Sequence, residues 1–308
     1  MTILLLGAAG QVGTELQRRL DGIDETVRAT RSGKMSNGRE CALADLGDPS
    51  SLAKILDDVA PQIIVNAAAY TAVDRAESEP ELADRINHRA VAEVGAWAAR
   101  RDALVVHYST DYVFDGQGTK PYRETDATAP LGVYGRSKLA GETALRDSGA
   151  RHFILRTAWV YAAHGKNFLR TMLRLVGERD ELRVVVDQVG SPTSAGLIAA
   201  TTAGLLTRWL AMNKADAEQV LGTYHLTASS RCSWFDFATE IFAQAHVAGL
   251  IKRIPHVVPI NSAEYPTPAQ RPACSVLDTA KLALVFGLHL PTWQDGLRTV
   301  VDELAAQS

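Results

Sequence analysis

The feature that most limits how this chain can fold is a glycine-rich turn at its start. The sequence TILLLGAAGQVG places an apolar stretch directly before Gly7, Gly10 and Gly13, and residues with helical spacing follow. A buried strand that turns tightly into a helix presents the first helical amides to an anion, and glycines let a pyrophosphate approach the backbone. The pattern predicts a dinucleotide-binding unit; the alternative is a tight structural turn without a ligand.

The first half of the chain continues this alternation of strands and helices. Apolar stretches predict strands at Thr2–Gly7, Glu25–Arg31, Gln62–Ala69, Ala103–Thr110 and His152–Tyr161. Helical spacing predicts helices at Gln11–Leu20, Ser50–Val59, Arg75–Arg100 and Tyr134–Arg146. Several strands are apolar on both faces, as in parallel sheets covered by helices on both sides. The predicted fold class is α/β, with a Rossmann-like doubly wound parallel sheet.

The second half is less regular and predicts a smaller C-terminal lobe. Strand-like Leu182–Gly190 precedes a helix over Ala195–Met212, and Pro291–Ala306 reads as a closing helix. We expect a cofactor-binding Rossmann domain over residues 1–165, to which later segments return. Residues 166–308 are expected to form mainly a substrate-binding lobe, interleaved with the sheet.

Composition excludes several classes of protein. Hydrophobic residues make up 46% and charged residues 22%, and the formal net charge is −3, so nothing suggests a nucleic-acid or membrane partner. The N-terminus lacks the basic segment and cleavage site of a signal peptide, which predicts a cytoplasmic protein. Cys41, Cys232 and Cys274 lie far apart and are expected to be reduced structural thiols.

The end of the second strand predicts which cofactor is used. An acidic side chain there favours NAD, because it accepts hydrogen bonds from the adenosine ribose. Here the segment RATRSGK has no acid and carries Arg28, Arg31 and Lys34. A guanidinium matches the oxygens of a 2′-phosphate, so we expect Arg31 to contact it and NADPH to be preferred over NADH. The alternative is that these are solvated loop charges.

A tyrosine and a lysine predict the catalytic chemistry. Tyr134 and Lys138 are four residues apart and share one helix face. A nearby ammonium stabilises phenolate, which would lower the phenol pKa and make Tyr134 a usable general acid for a carbonyl under reduction. Thr110 ends a strand at the edge where open α/β sheets bind ligands, so Ser109 or Thr110 can donate to the substrate oxygen.

The GxxGxxG turn, the strand ending in Ser-Thr and the Tyr-x-x-x-Lys pair together resemble the extended short-chain dehydrogenase/reductase family. Within it, the chain is similar to the dTDP-4-dehydrorhamnose reductases along almost its whole length. The stretches that carry this likeness are Asn66–Asn87, Ser109–Gly116, Leu131–Glu142, Leu155–Tyr161, Asp187–Ala195 and Glu264–Leu282. The resemblance implies NADPH-dependent reduction of the C4 keto group of dTDP-4-dehydro-L-rhamnose to dTDP-L-rhamnose.

The resemblance also implies roles for individual residues. Tyr134 would protonate the C4 oxygen, Lys138 would bind the nicotinamide ribose, and Thr110 would hydrogen-bond the keto oxygen. Residues placed along the cofactor, besides Arg31, Tyr134 and Lys138, would be Gly7, Gly10, Gln11, Val12, Gly13, Asp45, Leu46, Ala69, Tyr70 and Thr71. Asp111 and Trp159 would contact the substrate, and Arg271 its diphosphate; the alternatives are a turn cap, a core residue and an exposed charge.

One position departs from the family. Some members form homodimers around a Mg²⁺ ion held by glutamates, and Glu15 matches one such position, but Gly196 replaces a second glutamate. Because charge and oxygen ligands set the affinity of such a site, we expect no resident metal and doubt that mode of dimerisation. Two other functions remain as alternatives: a sugar-nucleotide epimerase or dehydratase of the same fold, and a non-catalytic NADP-binding regulatory subunit.

Overall fold

A computed structural model describes residues 1–307 of the chain. The strands are β1 (Thr2–Leu6), β2 (Glu25–Thr30), β3 (Ala42–Leu43), β4 (Ile63–Asn66), β5 (Leu104–Thr110), β6 (Arg151–Thr157), β7 (Val160–Tyr161), β8 (Glu181–Val185), β9 (Val189–Gly190), β10 (Thr193–Ser194), β11 (Gly222–His225), β12 (Cys232–Ser233) and β13 (His256–Ile260).

The helices alternate with these strands in the first half and cluster in the second. They are α1 (Gln11–Asp21), α2 (Pro49–Val59), α3 (Val73–Ala76), α4 (Pro80–Asp84), α5 (Ala90–Arg101), α6 (Val133–Asp147), α7 (Phe168–Val176), α8 (Ala195–Leu210), α9 (Lys214–Gln219), α10 (Trp234–Val247), α11 (Ala280–Phe286) and α12 (Trp293–Gln307).

The central sheet has seven parallel strands in the order β11-β6-β5-β4-β1-β2-β3. Strand order reverses between β1 and β4, which pair through Leu6 and Asn66 at their carboxyl ends. Open α/β sheets bind their ligands in the crevice at such a reversal. The predicted α/β, Rossmann-like fold class is confirmed.

Both faces of the sheet are buried, which explains the continuous apolar character of its strands. On one face Leu5 and Val106 pack with residues of α1 and α8, among them Leu16 and Ile198. The opposite face packs against α2 and α5 through a second apolar core that includes Leu52. The strands are therefore fixed in register by burial on both sides, and their carboxyl ends make a rigid edge.

Two predicted elements are interrupted. The predicted helix Arg75–Arg100 is split into α3, α4, a wider helical turn over Arg85–Arg89, and α5. Pro80 stands in the first turn of α4, where no intrahelical hydrogen bond needs its missing N–H. A helix that continued from α3 would need that N–H, so α3 must end before Pro80. The predicted strand His152–Tyr161 breaks into β6 and β7 because Trp159 between them has a φ of 48°.

The second half builds a separate apolar core from α7, α10 and α12. Leu169, Phe237 and Leu297 lie in it with no solvent exposure, and the β8–β13 pair closes one side. In contrast, β11 belongs to the central sheet, where it pairs with β6. Within residues 1–307, none of the helices combines the length and the apolar character that crossing a bilayer requires.

Candidate functional site

A cleft of about 660 Å³ opens at the carboxyl edge of the central sheet. It is lined by the turn after β1, by the segments after β2 to β6, by α6 and by the start of α10. The predicted site residues that line it are Gly7, Gly10, Gln11, Val12, Arg31, Asp45, Leu46, Ala69, Thr71, Thr110, Asp111, Tyr134, Lys138 and Trp159. One cavity therefore joins the glycine turn to the tyrosine–lysine pair.

The glycine turn forms the floor at one end. Gly7 has a φ of 76°, and a Cβ on it would lie 2.6 Å from the backbone nitrogen of Ala68. A Cβ on Gly13 would lie 2.1 Å from the carbonyl oxygen of Gly7. Both positions therefore require glycine: Gly7 for its backbone conformation, and Gly13 so that α1 can pack against the turn. Gly13 does not line the cleft, but it allows α1 to pack against the turn that does.

The next part of the cleft lies beyond β2 and β3. Arg31 is exposed and lines the opening, whereas Arg28 turns away and pairs with Asp21. Asp45 also lines the cleft, and its Oδ1 accepts a 2.8 Å hydrogen bond from the backbone N–H of Gly47. The segment after β2 therefore places one exposed guanidinium at the cleft.

Tyr134, Thr110 and Asp111 meet where α6 approaches the end of β5. The Thr110 hydroxyl donates a 3.0 Å hydrogen bond to Asp111 Oδ1. Burial raises the pKa of Asp111 to about 6, although hydrogen bonds from Ser275 and Thr110 lower it. Burial also raises the pKa of Tyr134 to about 12, while a hydrogen bond with Thr110 lowers it. Tyr134 is therefore a neutral phenol at physiological pH.

This direction differs from the expectation that Lys138 would lower the pKa of Tyr134. Lys138 is 2% exposed, and its Nζ donates a 2.7 Å hydrogen bond to the Tyr108 carbonyl. Its Nζ also lies 3.2 Å from His107 Nε2. Burial lowers the pKa of Lys138 to about 8, and Glu142 raises it. Loss of hydration dominates both groups, because the helix carries them into a packed site.

Beneath the cleft, Glu142 and Arg156 form a buried two-point ion pair. Arg156 Nε donates to Glu142 Oε1 at 2.9 Å, and its Nη2 donates to Oε2 at 2.7 Å. Their side chains are 0% and 3% exposed. The guanidinium holds the pKa of Glu142 below its usual value despite the burial. The pair ties α6, which carries Tyr134 and Lys138, to β6 of the sheet.

Two stacked tryptophans form the wall toward the second half of the chain. The rings of Trp159 and Trp234 are 3.5 Å apart between centroids and inclined by 2°. A Cβ on Gly190 would lie 2.5 Å from the Trp159 ring, so this glycine gives the indole its space. The positive φ of Trp159 directs its side chain into the cleft instead of along the strand.

Two other predicted residues have side chains directed elsewhere. Tyr70 is buried and its hydroxyl donates a 2.6 Å hydrogen bond to Glu79, so its ring does not line the cleft. Arg271 pairs with Asp74 at 2.8 Å and also donates to the Ala269 carbonyl. Arg271 therefore has a local partner in Asp74, and its contact with the diphosphate stays a prediction.

The predicted weakness of a metal site concerns Glu15 and Gly196. Glu15 Oε1 lies 2.8 Å from His164 Nε2, and a Cβ on Gly196 would stand 3.8 Å from Glu15 Oε2. A longer acidic side chain at position 196 would therefore lie beside Glu15. The absence of a resident metal stays a prediction.

Sequence reasoning missed several residues of the site. Trp234, Tyr112 and Lys166 line the cleft, and His107 contacts Lys138. Trp234 begins a helix far along the chain, and its position gives no local sign that it will stack on Trp159. Only His107 carried a usable signal, since a polar residue in the apolar strand that ends at Thr110 needs a buried partner.

These features define the class of the protein: a Rossmann-like α/β protein built like known reductases and epimerases. A UDP-glucose 4-epimerase structure from Thermus thermophilus, complexed with NAD, shares the fold with a TM-score of 0.76 at 19% identity and covers 100% of each chain. Within this class, the chain belongs to the family described as RmlD substrate binding domain, which matches residues 1–306. The resemblance predicted from the sequence is confirmed.

Several relatives that match almost the whole chain share a name. The chain is 47% identical over 304 residues to the dTDP-4-dehydrorhamnose reductase of Escherichia coli strain K12, covering 99% of this chain and 98% of the relative. It is 45% identical to the reductase of the same name from Burkholderia thailandensis, covering 100% of both chains. A Bacillus anthracis reductase of that name, solved in complex with NADP, has a TM-score of 0.86 at 33% identity and covers 98% and 99% of the two chains.

Proposed function

We propose that this protein is an enzyme that uses NADPH to reduce the C4 keto group of dTDP-4-dehydro-L-rhamnose, giving dTDP-L-rhamnose. The name shared by full-length relatives supports the substrate, and the NADP complex of the Bacillus anthracis relative supports the cofactor. The observation that carries the proposal is that Tyr134, Thr110 and Lys138 meet in the cleft that begins at the glycine turn.

The residues present fit NADPH. The glycine turn suits close approach of a pyrophosphate, since Gly7 adopts a φ of 76° and Gly10 and Gln11 at the start of α1 line the cleft. Arg31 supplies an exposed guanidinium suited to a 2′-phosphate. Asp45 and Leu46 would flank the adenine, and Ala69 and Thr71 would lie along the cofactor. Lys138 would hold the nicotinamide ribose, since an ammonium has three donors and its carbonyl partner uses one.

NADPH supplies the hydride, and the residues of the chain manage charge and protons around the carbonyl. Tyr134 holds its proton at neutral pH because its pKa is about 12, so it can donate that proton to the oxygen as negative charge develops there. Thr110 can turn its hydroxyl from Asp111 to the same oxygen and stabilise the charge. In this proposal the lysine holds the cofactor.

The sugar-nucleotide would lie between Asp111 and the tryptophan wall. Asp111 accepts hydrogen bonds on the side of the cleft next to Tyr134, and Trp159 with Trp234 offers an apolar face to a sugar or base. We accordingly assign residues 1–165 mainly to cofactor binding and residues 166–308 mainly to substrate binding, with β11 returning to the sheet. Cytoplasmic location remains a prediction, and the doubt raised above concerns only a homodimer built around Mg²⁺.

The test is direct. The purified chain is supplied with dTDP-4-dehydro-L-rhamnose and either NADPH or NADH, and absorbance at the nicotinamide band is followed together with the stereochemistry of the product. We expect stoichiometric oxidation of NADPH and formation of dTDP-L-rhamnose. Conversion of the sugar without net NADPH consumption would instead identify an epimerase or dehydratase. Tight NADPH binding without turnover would identify a regulatory subunit.

A further inference from the structure

A buried chain of three polar side chains leads from the central sheet to Lys138. Asn66 at the end of β4, His107 on β5 and Lys138 on α6 are 1%, 1% and 2% exposed. Asn66 Nδ2 lies 3.2 Å from His107 Nδ1, and His107 Nε2 lies 3.2 Å from Lys138 Nζ. His107 is thus the only described side chain within hydrogen-bonding distance of the lysine amine, whose other partner is a backbone carbonyl.

The direction of the hydrogen bonds along this chain is fixed by a backbone amide. The N–H of Ala68 can only donate, and it donates a 3.1 Å bond to Asn66 Oδ1. The other end of the Asn66 amide, its NH₂ group, therefore faces His107 Nδ1, which must accept. A neutral imidazole has one protonated nitrogen, so the proton lies on Nε2 and points at Lys138.

We propose that His107, oriented by Asn66, is a positioning residue that acts through Lys138: its Nε2–H holds the lysine against β5 and favours the neutral amine over the ammonium. A neutral amine can accept this N–H and still donate to the Tyr108 carbonyl. An ammonium has no lone pair to accept this N–H, so two donors would face each other. The role of His107 in turnover rests on the proposed reductase function, whereas the direction of its hydrogen bond does not.

The charges around the two groups agree with this arrangement. Burial holds the pKa of His107 well below its usual value, and Lys138 and His152 lower it further, so the imidazole is neutral. His107 faces Lys138 from β5, Tyr134 lies one turn before Lys138 on α6, and Glu142 lies one turn after it. Of these, Glu142 raises the pKa of Lys138, yet its oxygens are already bonded to Arg156 and Arg146.

The first experiment determines which ring nitrogen of His107 carries the proton in the full-length protein. The ¹⁵N chemical shifts of histidine distinguish a protonated from an unprotonated ring nitrogen, and the His107 signals are assigned by their loss in His107→Phe. We expect Nε2 to carry the proton and Nδ1 to be bare. In Asn66→Asp, a carboxylate would face Nδ1, and the proton should move there. A parent protein protonated at Nδ1 would overturn the proposal without any measurement of activity.

The second experiment measures how His107 changes the pH at which Lys138 loses its proton. The pH dependence of kcat/KM for NADPH reports the free protein, so its high-pH limb should follow loss of the Lys138 proton near the pKa of about 8. In His107→Phe the opposing N–H is gone, and the limb should move up by about one pH unit, the size of effect that one hydrogen bond supports. An unchanged limb, or a shift to lower pH, would overturn the proposal.

A matched control separates this effect from loss of a buried histidine. His225 on β11 is 0% exposed and bonds the Asp278 carbonyl, with no contact to Lys138. The high-pH limb of the kcat/KM profile of His225→Phe should therefore match that of the parent, even if this variant unfolds at a lower temperature. A parent chain without turnover would count against the reductase function. A His107→Phe variant with the parental limb, beside an active parent, would count only against the role of His107.

Discussion

The hydroxyl of Thr110 and the carboxylate of Asp111 share a 3.0 Å hydrogen bond at the buried edge of the cleft, beside the ring of Tyr134. The bond joins the proposed oxygen-binding hydroxyl to a carboxylate whose pKa is raised by burial. A site that keeps such a carboxylate in place gives up stability at neutral pH for the sake of ligand binding.

Asp111→Asn should therefore stabilise the free protein at neutral pH while weakening substrate binding. The folded-state pKa of about 6 lies above the ordinary aspartate value of 3.8, so the folded protein holds this proton more tightly than the unfolded chain. The penalty is complete above pH 6 and vanishes below about pH 4, and it amounts to at most about 3 kcal/mol. Urea unfolding at pH 7 and pH 4 should show a gain that fades as the pH falls.

The matched control has the opposite sign. Asp115 accepts hydrogen bonds from Tyr122 and Gln117, which hold its pKa below the usual value. Asp115→Asn should therefore lose stability at pH 7. A loss of equal size in both variants would contradict the interpretation of Asp111.

Tyr134→Phe should remove most turnover and spare the cofactor. Loss of a general acid costs about 10²- to 10⁴-fold in rate, whereas the ring that borders the cleft is retained. We expect kcat to fall by that amount and the Kd for NADPH, followed by fluorescence, to stay within about threefold. Tyr122→Phe, which removes a phenol bonded to Asp115 outside the cleft, serves as control. A Phe variant that turns over at the parental rate would disprove the role of Tyr134.

Arg31→Ala should change the preference between cofactors. If Arg31 binds the 2′-phosphate, its loss removes a charge-assisted contact worth about 1.5–3 kcal/mol, or roughly 10- to 100-fold in the KM for NADPH. The KM for NADH should hardly change. Arg28 is close in sequence but pairs with Asp21, so Arg28→Ala should leave both values near those of the parent. Equal losses for both cofactors in Arg31→Ala would contradict the assignment.

The Glu142–Arg156 pair predicts a large effect on stability. Arg156→Leu would leave Glu142 buried with the partly exposed Arg146 as its charged partner, at a cost of about 3–5 kcal/mol in the free energy of unfolding. Replacing both residues by leucine should recover much of this loss. The surface pair Arg174–Glu178 provides the comparison, since Arg174→Ala should cost less than about 1 kcal/mol. Urea unfolding measures all three.

Gly13→Ala should damage the cleft without touching its lining. The new Cβ would lie 2.1 Å from the Gly7 carbonyl, a backbone atom, so α1 must move away from the turn. We expect a lower melting temperature and NADPH binding weakened by at least tenfold. Gly22, whose Cβ would lie 3.5 Å from the nearest backbone oxygen, gives the control Gly22→Ala. Parental NADPH binding in Gly13→Ala would show that the turn adapts.

The sequence predicted the elements whose signal is local. The strand before Gly7 and the helix after it were placed within one residue of their ends, because apolar burial and turn chemistry act over a few residues. The break at Pro80 was missed because apolar spacing continues across it, while the missing N–H ends the preceding helix. The same local signals brought most predicted cofactor residues to one cleft.

What the sequence could not predict depends on contacts between distant segments. Trp159 meets Trp234 across about a quarter of the chain, and neither neighbourhood indicates the other. The pKa of Tyr134 was expected to fall because of Lys138. It rises because burial, which spacing on a helix does not reveal, disfavours the charged phenolate. Arg271 found a partner in Asp74, a pairing that only the folded chain brings about.

The position of β11 has a consequence for how the chain must be made. Its residues, Gly222–His225, complete the sheet edge beside β6, which is otherwise finished at Thr157. During synthesis, the ribosome must therefore add more than sixty residues while β6, which pairs with β5 on one side, has no partner along its other edge. Such an open strand edge can pair with another chain. A chain truncated after residue 165 would lack β11, so this edge of β6 would stay unpaired and the product should be recovered mainly as aggregate.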